Sequence, residues 1–164
     1  MLLVLVIAVG AAWLAAPHVQ RLDGGVTMQT LKPGKGPSPT GSDIALINYK
    51  GMLSNGKVFD QGQQVPMPVT GVVPGFSTAL QAMQAGGSYR VHIPADKGYG
   101  SEEKRNQSGE VVIPANSDLT FDVDLLEFRS QQEIMQMMQQ QQLQQQLQGG
   151  AGGAPGGAPP GAGQ

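Results

Sequence analysis

Val72-Val73-Pro74-Gly75-Phe76 runs directly into Ser77-Thr78-Ala79-Leu80-Gln81-Ala82-Met83, and this stretch decides the fold. It reads as a strand that stops, a turn and a short helix. Proline at position 74 has a fixed φ and no amide proton, so it suits a helix entrance and not a helix interior. Phe76, Leu80 and Met83 are spaced i, i+4, i+7, which places them on one helical face. Gly86-Gly87 is expected to end the helix. A single short helix with one apolar face must bury that face against something. The flanking segments alternate like strands, so the partner is a sheet. The expected fold class is α+β, an antiparallel β-sheet wrapped around one short α-helix.

The strands follow from period-two patterns. Residues 26–31 suit a strand. In 43–53, Ala45, Ile47 and Tyr49 share one face, while Ile44, Leu46 and Asn48 share the other. Asn55-Gly56 signals a two-residue hairpin, so Val58-Phe59-Asp60 should pair back onto 43–53. Residues 61–68, interrupted by Pro66 and Pro68, read as an edge strand or a loop, and 69–73 as a short strand feeding the helix. Tyr89, Val91 and Ile93 alternate with Arg90 and His92. The clearest pattern sets Leu119, Phe121, Val123 and Leu125 against Asp118, Thr120, Asp122 and Asp124, a strand buried on one face only. Between these last two strands lies a long connection. Its charged middle, 101–110, is expected to be a mobile excursion.

The two ends differ from this domain in composition. Residues 1–16 carry no polar side chain except the Trp13 indole. As a helix they would span about 24 Å, short of the roughly 30 Å hydrocarbon core. They read as a signal or membrane anchor: a cleaved export signal, an uncleaved anchor, or the end of a longer one. The domain would then sit across the membrane, on the periplasmic side. Residues 17–24 form a polar spacer and 25–129 the domain. A Gln/Met-rich tail occupies 130–148. Within it, Ile134 and Met138 point away from Leu143 and Leu147, so no coiled-coil stripe forms and a frayed helix or disordered tail is expected. Residues 149–164 are Gly, Ala and Pro and cannot build a core.

Composition removes several kinds of chemistry. The net charge of −2 offers no basic footprint for nucleic acid. With no cysteine and only His18 and His92, thiol chemistry is excluded and a transition-metal site is disfavoured. No cofactor is expected. His92, flanked by Val91 and Ile93, reads as a strand residue on the polar face. Gly34-Lys35-Gly36 lacks the rest of a phosphate-binding loop. What remains is a set of residues from separate elements that could line one concavity: Tyr49, Phe59, Val72, Val73, Phe76, Tyr99, Ile113 and Phe121. On pattern alone each is more simply a core residue.

Several stretches together resemble the FKBP family of peptidyl-prolyl isomerases, the immunophilins, in their bacterial exported or anchored form. They are Ile47-Asn48-Tyr49-Lys50-Gly51, Gly56-Lys57-Val58-Phe59-Asp60, Val72-Val73-Pro74-Gly75-Phe76, Ile93-Pro94 with Gly98-Tyr99-Gly100, and Val112-Ile113-Pro114 with 119–125. They keep the family's order and spacing over residues 25–129. The resemblance implies a proline-binding pocket walled and floored by Tyr49, Phe59, Phe76 and Phe121, with Val72, Val112 and Ile113 around the proline ring. It implies a backbone N–H from Val73, and a catalytic role for the Tyr99 hydroxyl and for Asp60 as a buried carboxylate. The implied partners are proline-containing unfolded or exported polypeptides and macrolide immunosuppressants, with no metal. The chain departs from the family at Phe76, where tryptophan is usual, and at Pro66-Met67-Pro68, which replaces an aromatic wall. Its loop after Tyr99 is also longer and more charged. The expected function is prolyl isomerisation in folding. The alternatives are a proline-binding holdase with little turnover, and a tethered structural domain with a vestigial pocket.

Overall fold

The computed structural model describes residues 18–149. The readings of 1–16 as a signal or anchor and of 149–164 as a Gly/Ala/Pro tail lie outside the described residues, Gly149 excepted, which ends a helix. The chain divides into two compact units at the Phe128–Arg129 boundary.

In the first unit, six strands form one sheet: β1 (Val19–Arg21), β2 (Thr27–Lys32), β3 (Asp43–Leu53), β4 (Val58–Pro68), β5 (Gly87–Ile93) and β8 (Leu119–Ser130). Their order is β1-β2-β5-β8-β3-β4. Pairing is antiparallel from β1 through β2 and β5 to β8, and again between β3 and β4. Two further strands, β6 (Lys104–Arg105) and β7 (Val111–Ile113), pair separately. Helix α1 (Pro74–Ala82) lies on the sheet, with Phe76, Ala79 and Leu80 buried, and Met83 just beyond its end buried too. Nine residues are too few for a helix to persist alone in water. Burial of its apolar face holds α1, at about 1.5–3 kcal/mol for each large side chain. The opposing surface is the inward set of β3, β5 and β8: Ala45 and Ile47, Val91 and Ile93, then Leu119, Phe121, Val123 and Leu125. The alternation read from the sequence is the alternation found.

Five local expectations are corrected. Residues 69–73 are turn and not strand. The helix ends at Ala82, because Met83 turns to extended backbone (φ −79°, ψ 154°) and its N–H caps the carbonyls of Ala79 and Leu80. Gly86, at φ 81°, instead makes the turn into β5. The β3–β4 turn is longer than two residues: 54–57 separate the strands, and Gly56 alone has positive φ, whereas a two-residue type I′ turn needs two such residues. The spacer contains β1, whose Val19–Arg21 pairs with β2. The charged stretch 101–110 is part of a hairpin. Asn106 Oδ1 accepts the N–H groups of Ser108 and Glu110, Arg105 donates to the Gly109 carbonyl, and Arg105 pairs with Glu103.

In the second unit, the Gln/Met-rich segment is helix α2 (Gln131–Gly149). Its start carries a reciprocal cap. The Glu133 carboxylate accepts the Ser130 N–H at 2.9 Å, and the Ser130 hydroxyl accepts the Glu133 N–H at 3.2 Å. Met135, Met138, Leu143 and Leu147 are exposed along it.

Candidate functional site

β4 builds one wall of the site through an irregularity. Gly51 pairs with Asp60 and Met52 with Val58, so Phe59 is an extra residue without a partner. Neighbouring strand residues normally face opposite ways, but a bulge re-aims side chains. Phe59 and Asp60 therefore both reach the same cavity. A second irregularity lies between Ile47 and Tyr49. There Gln64 adopts φ 52° and its N–H donates to Asn48 Oδ1 at 2.9 Å. β4 is thus a kinked edge strand, with prolines at 66 and 68, and not the loop that was its alternative.

The cavity holds about 280 Å³ and is lined by Tyr49, Phe59, Asp60, Met67, Gly71, Val72, Val73, Phe76, Tyr99 and Phe121. Phe121 is its hub. The Phe59 ring meets Phe121 edge-on at 5.6 Å between centroids, and the Phe76 ring lies 4.7 Å from it at a 49° tilt. Both separations are those of favourable aromatic pairs. Gly51 is what lets these rings approach the sheet. A Cβ there would lie 2.6 Å from Phe59 Cζ and 2.9 Å from Phe121 Cε1.

The polar groups sit at the rim. Tyr49 Oη donates to Asp60 Oδ2 at 2.9 Å, while the Gln61 N–H donates to Asp60 Oδ1 at 2.9 Å. Asp60 is therefore oriented from both oxygens. It is exposed, which corrects the expectation of a buried carboxylate, because β4 is an edge strand with solvent on its far side. Val73 is the N-cap of α1 and its carbonyl accepts from Phe76 and Ser77. The Val73 N–H and the Tyr99 hydroxyl donate to no group among the described residues, so both are available to a ligand.

Of the residues singled out from sequence, Tyr49, Phe59, Asp60, Val72, Val73, Phe76, Tyr99 and Phe121 converge on this cavity. Val112 and Ile113 do not line it. Ile113 is drawn into the core at 4% exposure and Val112 packs against the core's edge, so this pair anchors the β6–β7 hairpin. Met67 and Gly71 line the cavity without having been singled out. Met67 had a signal, since it occupies the place of the absent wall aromatic. Gly71 had none.

The Tyr49 phenol is pushed up to about 12, first by burial, then by its hydrogen bond to Asp60 and the negative charge of Asp60. A raised phenol pKa means that the fold favours the protonated form. That stabilisation is complete below the unfolded value near 10 and is lost as pH rises through about 12. Alkaline denaturant titrations should therefore show more stability lost between pH 10 and 12 by the parent chain than by Tyr49→Phe. Equal slopes would mean that the fold does not favour the protonated Tyr49 phenol.

Residues 36–126, more than half of the chain, match the family described as FKBP-type peptidyl-prolyl cis-trans isomerase. The isomerase FkpA of Escherichia coli K12 is 37% identical over 109 residues, covering 64% of this chain and 38% of that protein. The isomerase Mip of Coxiella burnetii is 34% identical over 119 residues, covering 70% and 50%. The chain thus spans half or less of the length of these curated relatives. A crystal structure of a peptidyl-prolyl cis-trans isomerase from Pseudomonas syringae superposes with a TM-score of 0.62 at 34% identity, covering 71% of this chain and 84% of that one. The crystal structure of Escherichia coli FkpA gives 0.60 at 35%, covering 68% and 52%. The family match spans 36–126, the stretch that contains β3, β4, α1, β5 and all the residues lining the cavity, and this chain belongs to the FKBP-type peptidyl-prolyl cis-trans isomerase family.

Proposed function

We propose that this chain accelerates the cis–trans isomerisation of X-Pro bonds in unfolded or exported polypeptides, in the cavity beneath Phe121. The observation that carries this reading is the junction of three phenylalanine rings with two unengaged donors, the Val73 N–H and the Tyr99 hydroxyl, at one small hollow. Amide resonance sets a rotational barrier of about 18–20 kcal/mol. As the bond twists, resonance and charge separation fall. An apolar, water-poor hollow suits the twisted amide better than the planar one, and that difference lowers the barrier. Phe59, Phe76 and Phe121 grip the proline ring. The Val73 N–H and Tyr99 hydroxyl hold the flanking carbonyls. Asp60, oriented by Tyr49 and Gln61, fixes the wall beside the reacting carbonyl. Each residue binds or orients, and none forms a covalent bond.

A protease-coupled assay on an X-Pro peptide tests this. Acceleration reduced by Tyr99→Phe supports it, and a parent chain that leaves the uncatalysed rate unchanged overturns it. The exposed Met135, Met138, Leu143 and Leu147 of α2 favour the second reading, a holdase for unfolded chains. Suppressed aggregation without acceleration would select it. Deleting residues 131–164 should leave peptide turnover unchanged, since every lining residue precedes them. Lost turnover in that assay would assign the tail a part in the chemistry.

Location on the periplasmic side of a membrane belongs to the same proposal. The apolar run 1–16 supports it. Among the described residues no helix is long and apolar enough to cross a membrane. Binding of macrolide immunosuppressants in the same hollow is proposed likewise, with Phe76 giving a smaller floor than tryptophan would.

A further inference from the structure

We propose that Lys104 is a positioning residue that holds the Tyr99 ring, and with it the hydroxyl, at the cavity rim. This rests on the isomerase reading of the same cavity. Tyr99 stands between Gly98 and Gly100 in a turn whose main chain is tied down, the Gly98 and Gly100 N–H groups both donating to the Ala95 carbonyl, but these bonds hold the backbone and not the ring. Something else must fix the ring. The Lys104 ammonium lies over its face, 4.9 Å from the centroid, inside the range of a cation–π contact.

That ammonium is itself held. Lys104 Nζ donates to Glu102 Oε2 at 2.8 Å, while the Glu102 N–H donates to the Tyr99 carbonyl at 3.1 Å. The strand register carries the fixation inward, because Lys104 pairs with Ile113, which is buried in the core. From the far side, the Asn116 N–H ties down the Gly100 carbonyl at 2.7 Å. The chain of restraint thus runs from core to Ile113, to Lys104, to the Tyr99 ring. It also gives Val112-Ile113 a task, although neither lines the cavity. The hydrogen bond to Lys104 holds the Glu102 carboxyl below its usual value, and the same bond holds the Lys104 ammonium above its own.

The test compares Lys104→Met, Lys104→Arg and Tyr99→Phe with the parent chain, using an uncharged X-Pro peptide at low and high salt. Methionine keeps the apolar stem and removes the charge; arginine keeps the cation over the ring. Lys104→Met should lower kcat/KM about two- to fivefold, as expected from loss of an exposed cation–π contact. The loss should fall mainly in kcat, Lys104→Arg should restore most of it, and Lys104→Met should cost nothing further in a Tyr99→Phe background. Turnover by Lys104→Met equal to the parent, or an equal loss with and without the Tyr99 hydroxyl, would overturn the proposal. So would a loss confined to acidic peptides and abolished by salt, since that would make Lys104 a steering charge. If the parent chain itself fails to accelerate the peptide, the isomerase reading falls. If the parent accelerates and Lys104→Met matches it, only the role of Lys104 falls.

Discussion

Phe121→Ala is expected to destabilise the first unit by about 3–5 kcal/mol, the cost of removing a large aromatic from a packed core. Phe121 is 7% exposed and touches both other phenylalanine rings of the cavity. Each aromatic pair contributes about 0.5–1.5 kcal/mol beyond its buried area. A small domain has only about 5–15 kcal/mol in total, so one truncation would remove a large share. Equilibrium unfolding in urea should show a lower midpoint at an unchanged slope. A loss under about 1 kcal/mol would mean that the core and the cavity are separable, contrary to a hub that serves both.

Asp60→Ala should lower kcat/KM on an X-Pro peptide roughly ten- to hundredfold, the range for loss of hydrogen bonds to a charged group. Both Asp60 oxygens are engaged, one by the Tyr49 hydroxyl and one by the Gln61 N–H. Alanine releases Tyr49 from the rim and removes the carboxylate beside the substrate. Because Asp60 is exposed, stability should change far less than activity. Paired measurements of turnover and unfolding midpoint check this. Activity that survives while stability collapses would reassign Asp60 to bracing the strand.

The parts of the fold governed by burial were readable from the sequence. Leu119, Phe121, Val123 and Leu125 alternate in the chain because one face of β8 is buried. Phe76, Leu80 and Met83 share a face because α1 has one sheet to rest on. Phe76 and Phe121 meet for the same reason, since the buried faces of helix and sheet pack on each other, whereas Val72, Val73 and Tyr99 reach the cavity from turns and were legible only through the family resemblance. What escaped was set by geometry without a compositional mark. The extra residue at Phe59 leaves no trace in the alternation, yet it brings Phe59 and Asp60 to one wall. The end of α1 was assigned to Gly86, but backbone extension at Met83 ended it earlier. The hairpin at 104–113 is held by ion pairs and by Asn106, in a stretch whose charge alone suggests open loop. The Ser130–Glu133 cap starts α2 where the glutamine-rich composition left a frayed helix and a disordered tail both open.

Differential binding of a twisted prolyl amide is tested most directly by calorimetry with two ligands. One is an X-Pro peptide with a planar amide; the other is an analogue carrying two adjacent carbonyls that stand perpendicular beside the proline nitrogen. A cavity complementary to the twisted state should bind the analogue at least about a hundredfold more tightly, and Phe59→Ala should erase most of that preference. Equal affinities in the parent chain would show that the hollow recognises proline without favouring its rotation.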